Sequence, residues 1–380
     1  MKRREFISKS LGVLAGSTLM GFGKTAHSQS HSFVEEISHE RAGHPLYFDG
    51  MTFFRPVRDD LRNSGLSGLI WDVSKVELLD GKFVRRMIPC LKSIASANKL
   101  LRENDLGLFL ATRGSQIKEA HLNGKFAVFL QFQSLEPMAE DIGMIDIFYE
   151  MGLRVLQMTH HYGNPFAGGC LVKEQEWTGL TEIGVQAVAK MNELGIVPDI
   201  SHGNENLVLD VCRRSTKPVI ISHTGCRALV NNARCVPDSG IRAIAETGGV
   251  VGIFSMSFWL TQDPVPTVDS YIRQLEHVIK VGGIDTVGIS NDYDIAGHLE
   301  AAALNNNNDE VAKAYYPWWK QHAGVLGFDE LPKHAVIPEL NDIRRFTTIQ
   351  HALEKRGFTS IQIEKVMGGN WVRVLTESLG

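Results

Sequence analysis

Regularly spaced cysteines, a surplus of basic charge and long apolar runs are all missing from this sequence. Its five cysteines, Cys90, Cys170, Cys212, Cys226 and Cys235, are too few and too irregular for a disulfide framework. They include no CxxC pair for zinc or redox chemistry, and an odd number leaves at least one unpaired within a monomer. Cys212 stands at helical spacing from Val208 and Val211 and reads as a small buried apolar residue. The net charge of -4 carries no basic excess, which excludes nucleic acid and anionic membrane as partners. There is no internal repeat, and low complexity is confined to the asparagines of "LNNNNDE". Hydrophobic content of 43% with 22% charged residues is that of a soluble globular protein. A chain of 380 residues accommodates two average domains or one α/β barrel with insertions.

Residues 1–30 form a separate unit. "MKRREFISKSLGVLAGSTLMGFGKTAHSQS" has a basic start, an apolar middle and small residues around Ala26-His27-Ser28, which is the pattern of an export signal. Arg3-Arg4 followed by Glu5-Phe6-Ile7 resembles the twin-arginine signal, so the expected location is periplasmic. The apolar segment holds only about a dozen residues where a membrane span needs about 20. No stable anchor is therefore expected once the signal is removed, and the mature domain is expected at 31–380.

Apolar runs then alternate with amphipathic stretches. The runs are residues 45–50, 68–74, 106–112, 125–133, 153–160, 195–202, 218–224, 249–256 and 286–292, and each reads as a strand buried on both faces. Between them lie helical stripes such as Val268, Ile272, Leu275 and Ile279. Alternation of this kind predicts an α/β fold, a (β/α)8 TIM-type barrel, although nine runs compete for eight strand places. Polar residues gather at the run ends: Asp49, Asp72, Gln133, His160, His202, His223 and Asp292. In a parallel barrel these ends share one face. Residues 296–340, with Tyr315-Tyr316-Pro317-Trp318-Trp319, fit no barrel pattern and are expected to form a lid or an interface.

Several strand-end residues suit chemistry. "DISH" and "ISHT" put His202 and His223 at the ends of successive strands, where neutral imidazoles can hold one divalent metal. "SNDYD" supplies Asp292 and Asp294, either as a carboxylate that accepts a proton from water or as an Asx turn. "MTHHYGNPF" supplies His160 and His161 as candidates to support an oxyanion, with one of the pair expected to point away. Arg234 in "NARCVPD" can grip a substrate carboxylate in a bidentate contact.

Taken together and in order, "FDG" at 48–50, "GLRVLQMTH" at 152–160, "GLTEIGVQAVAKMNELGIVPDISH" at 179–202, "KPVIISHTGCRAL" at 217–229, "RCVPD" at 234–238, "ISNDYD" at 289–294 and "GGNWVRVL" at 368–375 resemble the membrane (renal) dipeptidase family, peptidase family M19. The resemblance implies a metallo-dependent hydrolase-like barrel, frequently dimeric, that cleaves dipeptides at a two-zinc centre. Position by position it implies His202 and His223 on one metal and His160 on the substrate or its tetrahedral intermediate. Arg234 would hold the C-terminal carboxylate, and Asp292 the proton of the nucleophilic water.

Three positions depart from the family. Where it has His-x-Asp after Asp-Gly, this chain has Met51 and Phe53, and its bridging glutamate is replaced by Gln133, with Glu136 three residues on as the alternative carboxylate. A thioether is a weak zinc ligand, a phenyl ring is none, and a neutral amide cannot bridge two cations as a carboxylate does. The expectation is therefore at most one zinc per chain, on His202 and His223 with Asp292 or Gln133 as third ligand. Met51 and Phe53 are expected to fill part of the lost site. The expected function is hydrolysis of a small peptide or amide with a free carboxylate. The alternatives are a metal-free binding or accessory protein that retains the Arg234 pocket, and a periplasmic tailoring enzyme with non-hydrolytic chemistry.

Overall fold

The computed structural model describes residues 26–79, 82–171, 176, 178–297, 320–321, 323–330 and 332–380. Its centre is a parallel sheet of β1 (Tyr47–Thr52), β2 (Leu66–Asp72), β6 (Phe126–Phe132), β7 (Leu153–Gln157), β8 (Val197–Asp199), β9 (Ile220–Thr224), β10 (Val250–Ile253) and β11 (Val287–Ile289), hydrogen-bonded in that order. β1 and the chain after β11 close the circle: the amides of Asn291 and Asp292 donate to Met51 O, and Phe53 bridges Asp294. These eight strands form the expected (β/α)8 barrel.

The surplus run is 106–112. It supplies only β5 (Leu108–Leu110), a three-residue strand that pairs with the start of β6 outside the eight-strand order. Two three-residue strands, β3 (Glu77–Leu79) and β4 (Lys82–Val84), make a separate antiparallel hairpin after β2.

Every residue of β2 and β6 is buried, because the inner faces fill the barrel and the outer faces meet helices. Helices return the chain between strands, among them α6 (Glu182–Leu194), α7 (Glu205–Arg214) and α8 (Asp238–Glu246). Asn204 caps α7 by accepting from Leu207 N at 3.0 Å, which starts that helix two residues after His202. The indole of Trp371, on the C-terminal helix α12 (Asn370–Leu379), fills the barrel interior and donates to Ile289 O at 3.0 Å. A Cβ on Gly50 would lie 2.2 Å from this ring and one on Gly288 2.5 Å, so the glycine of "FDG" makes room for the tryptophan of "GGNW".

Residues 1–25 of the expected export signal lie outside the described residues. Residues 26–30 begin α1 (Ala26–Arg41), which buries Phe33 and Ile37 and whose Arg41 Nη1 donates to Lys125 O at 2.7 Å. Within 296–340, Tyr315 to Trp319 also lie outside the described residues. The later part is fixed to the barrel: Val336 bridges Met256, Trp259 Nε1 donates to Leu326 O at 3.2 Å, and Phe328 packs edge-on to Phe258. Among the described residues, all five cysteines are free, and Cys212 is half-buried rather than enclosed. No described helix is long and apolar enough to cross a membrane.

Candidate metal and substrate site

At the C-terminal mouth of the barrel the structure brings His160, His161, His202, His223, Arg234 and Asp292 together. His223 lies in β9, whereas His202 and Asp292 follow β8 and β11 by three residues. Both of the latter adopt left-handed backbone, φ 63° and 65°, which is strained for residues with side chains and concentrated here at the site. The strain is held by Cys170 N, which donates to His202 O at 2.8 Å, and by the bond from Asp292 N to Met51 O at 3.0 Å.

The hydrogen bonds assign the ring protons. Buried Asp199 receives the amides of Ser201 and Ser222, the Gln131 amide and both serine hydroxyls, with Ser222 Oγ at 2.6 Å. An acceptor of five donors is a carboxylate, so the Ser222 proton points at Asp199 and Ser222 Oγ accepts from His223 Nδ1–H at 2.7 Å. The Nε2 of His223 is left as a lone pair. Arg234 Nη2 can only donate, so His202 Nε2, 3.0 Å away, is also a lone pair. The remaining His202 proton lies on Nδ1 and meets His161 Nδ1 at 3.2 Å.

Two lone pairs thus face each other across 2.9 Å, His202 Nε2 to His223 Nε2, with Asp292 Oδ1 at 3.8 Å from the latter. The two ring nitrogens form a pair of acceptors with Asp292 beside His223, and paired imidazole nitrogens bind divalent cations. Two ring nitrogens on one tetrahedral zinc ion would lie about 3.3 Å apart, a few tenths of an ångström wider than here. The two nitrogens therefore fit one zinc once Arg234 Nη2, which donates to His202 Nε2 at 3.0 Å, turns away from that lone pair. Burial, followed by the charge of Arg234, holds both imidazoles well below the usual histidine range, so they stay neutral and ligand-competent. Burial raises Asp292 to about 7, against the pull of Arg234.

The first family site does not fit a metal. Met51 is fully buried and supplies only a thioether, whereas Phe53 is 37% exposed at the rim and does not fill the pocket as expected. The Gln133 oxygen accepts from Arg85 Nη2 at 3.0 Å, and Glu136 Oε2 accepts from Arg85 N at 3.2 Å. Both are thus engaged by Arg85, and the carboxylate found beside the histidine pair is Asp292, 3.8 Å from His223 Nε2.

His160 and His161 both face His202, contrary to the expectation that one turns away. The ring of His160 stacks on it at 4.1 Å, and ligand atoms of all three histidines lie within 4.8 Å of one another. They sit in a bend after β7, where strand alternation no longer applies. Within this trio His161 Nδ1 accepts from His202 Nδ1, so those two atoms are spent on each other. Asp294 takes the Asx-turn role, accepting from Ala296 N at 2.9 Å.

Arg234 is 2% exposed and lies over the rings of Phe254 and Trp259, at 5.1 and 5.6 Å. Its Nη2 holds His202 and His223 O, while Nε and Nη1 are buried without a protein acceptor. These donors suit an incoming carboxylate. The residue that sequence reasoning missed is Arg85, also 2% exposed, which follows the β3–β4 hairpin and enters the site from the β2 side.

Residues 58–308 match the model of membrane dipeptidase, peptidase family M19. The chain belongs to this family of metallo-dependent hydrolases. It is 26% identical over 270 residues to the dipeptidase tcpJ of Claviceps purpurea (strain 20.1), a match that covers 70% of this chain and 55% of that protein. The chain thus spans about half the length of that relative. The crystal structure of an amidohydrolase from Pseudomonas aeruginosa superposes with a TM-score of 0.74 at 26% identity, covering 91% of this chain and 99% of that one. A metallo peptidase from Rhodobacter sphaeroides, liganded with a phosphinate mimic of the dipeptide L-Ala-D-Ala, shares the fold with a TM-score of 0.69. Its identity is 19%, covering 88% of this chain and 99% of that one.

Proposed function

We propose that the protein is an exported hydrolase of a small peptide or amide with a free carboxylate, working through a single zinc at His202, His223 and Asp292. The observation that carries this reading is the convergence of the His202 and His223 lone pairs at 2.9 Å beside the Asp292 carboxylate. When bound there, the zinc supplies Lewis acidity towards water and the substrate carbonyl.

The chain's own residues do the rest. Arg234 anchors the substrate carboxylate through Nε and Nη1, and its Nη2 gives up His202 Nε2 when a metal takes that lone pair. Asp292, beside His223, is the carboxylate placed to accept and return the proton of water. His160 lies beside His202 and supports the oxygen that gains charge. Phe254 and Trp259, the latter held by Leu326 O, wall the Arg234 side of the site.

Export by the Arg3-Arg4 signal, action in the periplasm and pairing with a second copy belong to the same reading. The test is turnover of a panel of dipeptides and N-acyl amino acids by zinc-loaded protein. Wild type should cleave at least one, and His202→Ala, His223→Ala and Asp292→Ala none. Retained activity in all three variants would overturn the reading.

A metal-free binding protein is favoured by one observation. Arg234 Nη2 donates to His202 Nε2, the nitrogen a metal would need. Peptide binding without turnover and without bound metal is the outcome that supports it.

A further inference from the structure

An arginine in the core normally spends its donors on protein acceptors, because an unsatisfied buried donor costs free energy. Arg85 does so only in part. Its Nε donates to Ser74 Oγ at 2.9 Å and its Nη2 to Gln133 Oε1 at 3.0 Å, but Nη1 is buried with no acceptor. Nearby Asp72 Oδ2 is buried without a donor. Arg85 is thus a fixed cation with an unused N–H inside the barrel mouth.

Its position gives it meaning. Gln133 stands where the family resemblance places the carboxylate that bridges two metals, and its oxygen is occupied here by a guanidinium. The positive charge of Arg85 also reaches His160, His161 and His223, contributing to their lowered basicity. Asp72 supplies the opposing charge that favours ionised Arg85. Two buried guanidinium groups therefore act on the site, Arg234 bonded to His202 and Arg85 bonded to Gln133. The three substitutions Met51, Phe53 and Gln133 remove donors, and Arg85 adds a charge.

We propose that the Arg85 guanidinium takes the first cation's place in this chain, supplying fixed positive charge at that end of the site and keeping a divalent ion out of it. The unused Nη1–H is then directed to an oxygen of the ligand, so a bound peptide or amide meets a guanidinium where it would otherwise meet a metal. This inference rests on the family reading for the location of the lost ligands, and does not depend on whether the chain hydrolyses anything.

Two consequences separate a resident cation from an arginine that merely packs. Restoring the lost ligands should fail to restore the metal while Arg85 is present, because a carboxylate at 133 would pair with the guanidinium instead. Removing Arg85 as well should admit the ion.

The experiment compares zinc per folded chain, by elemental analysis after zinc loading and gel filtration, in three forms. These are wild type, the triple variant Met51→His/Phe53→Asp/Gln133→Glu, and the triple variant with Arg85→Ala. The expected result is equal zinc in wild type and the triple variant, with about one further ion when Arg85 is removed. A gain in the triple variant with Arg85 in place would overturn the proposal. If the Arg85→Ala form does not fold, Arg85→Gln in the same background replaces it, keeping a neutral side chain of similar reach. No gain in the folded Arg85-free form would equally overturn the proposal. Peptide turnover is scored separately: a wild type that cleaves nothing counts against the hydrolase reading and leaves the zinc comparison intact.

Discussion

The Nε2 atoms of His202 and His223 lie 2.9 Å apart, each presenting a lone pair fixed by a hydrogen-bonding partner. For His223 that partner is Ser222, locked by Asp199. For His202 it is Arg234, whose Nη2 donates to Nε2 at 3.0 Å and leaves the ring proton on Nδ1 towards His161. This relay ties the barrel's polar interior to its mouth, and the functional account depends on it.

Asp292 is the proton acceptor of that account. Asp292→Asn keeps the shape and removes the basicity, so kcat should fall by about 100-fold or more while zinc stays bound through the two histidines. Steady-state kinetics with parallel metal analysis checks this, and unchanged kcat would remove Asp292 from the chemistry.

Arg234 should govern recognition of the substrate carboxylate. Arg234→Lys loses the planar donor set over Phe254 and Trp259, and should raise KM roughly thirtyfold, the equivalent of about 2 kcal/mol. The same substrate with its carboxylate amidated should already bind poorly to wild type and lose little more in the variant.

The barrel's glycine–tryptophan contact makes a stability prediction. Gly50→Ala places a methyl group on the Trp371 ring and should cost about 1–3 kcal/mol in urea denaturation. Trp371→Phe removes the ring atoms in contact, so the double variant should be less destabilised than the sum of the two singles.

Asp49 makes the pH prediction. Burial raises its pKa to about 8, so the folded protein holds this proton up to that pH, while the unfolded chain releases it near pH 4. The folded state binds more protons across that window, and stability on this account falls as pH rises from about 4 to 8. Asp49→Asn, neutral throughout, should flatten the decline and be the more stable form at pH 8–9 in thermal melts of metal-stripped protein. A variant that declines as steeply as wild type would contradict the assignment.

The barrel was legible in the sequence because buried parallel strands are written as continuous apolar runs, and the polar residues that end them mark one face. The extra run at 106–112 has the same composition as a barrel strand. Only its position beside the start of β6 excludes it from the barrel order, and position is a tertiary property. His202, His223 and Asp292 were readable as strand-end residues, and Arg234 as a cation just before a helix start, and the structure brings them together. Arg85 was not, because Arg85-Arg86 looks like surface charge. One residue decides between them: Arg86 pairs outside with Glu77 at 2.8 Å, and Arg85, pointing the other way, is buried. The expectation that one of His160 and His161 points away failed because both lie in a bend, where strand alternation does not hold.

The central claim, one metal held by His202 and His223, is tested most directly by zinc content per chain of wild type, His202→Ala and His223→Ala. The account predicts about one zinc per wild-type chain and loss of that zinc in both variants. Zinc-free wild type after loading, or zinc retained in both variants, would contradict it.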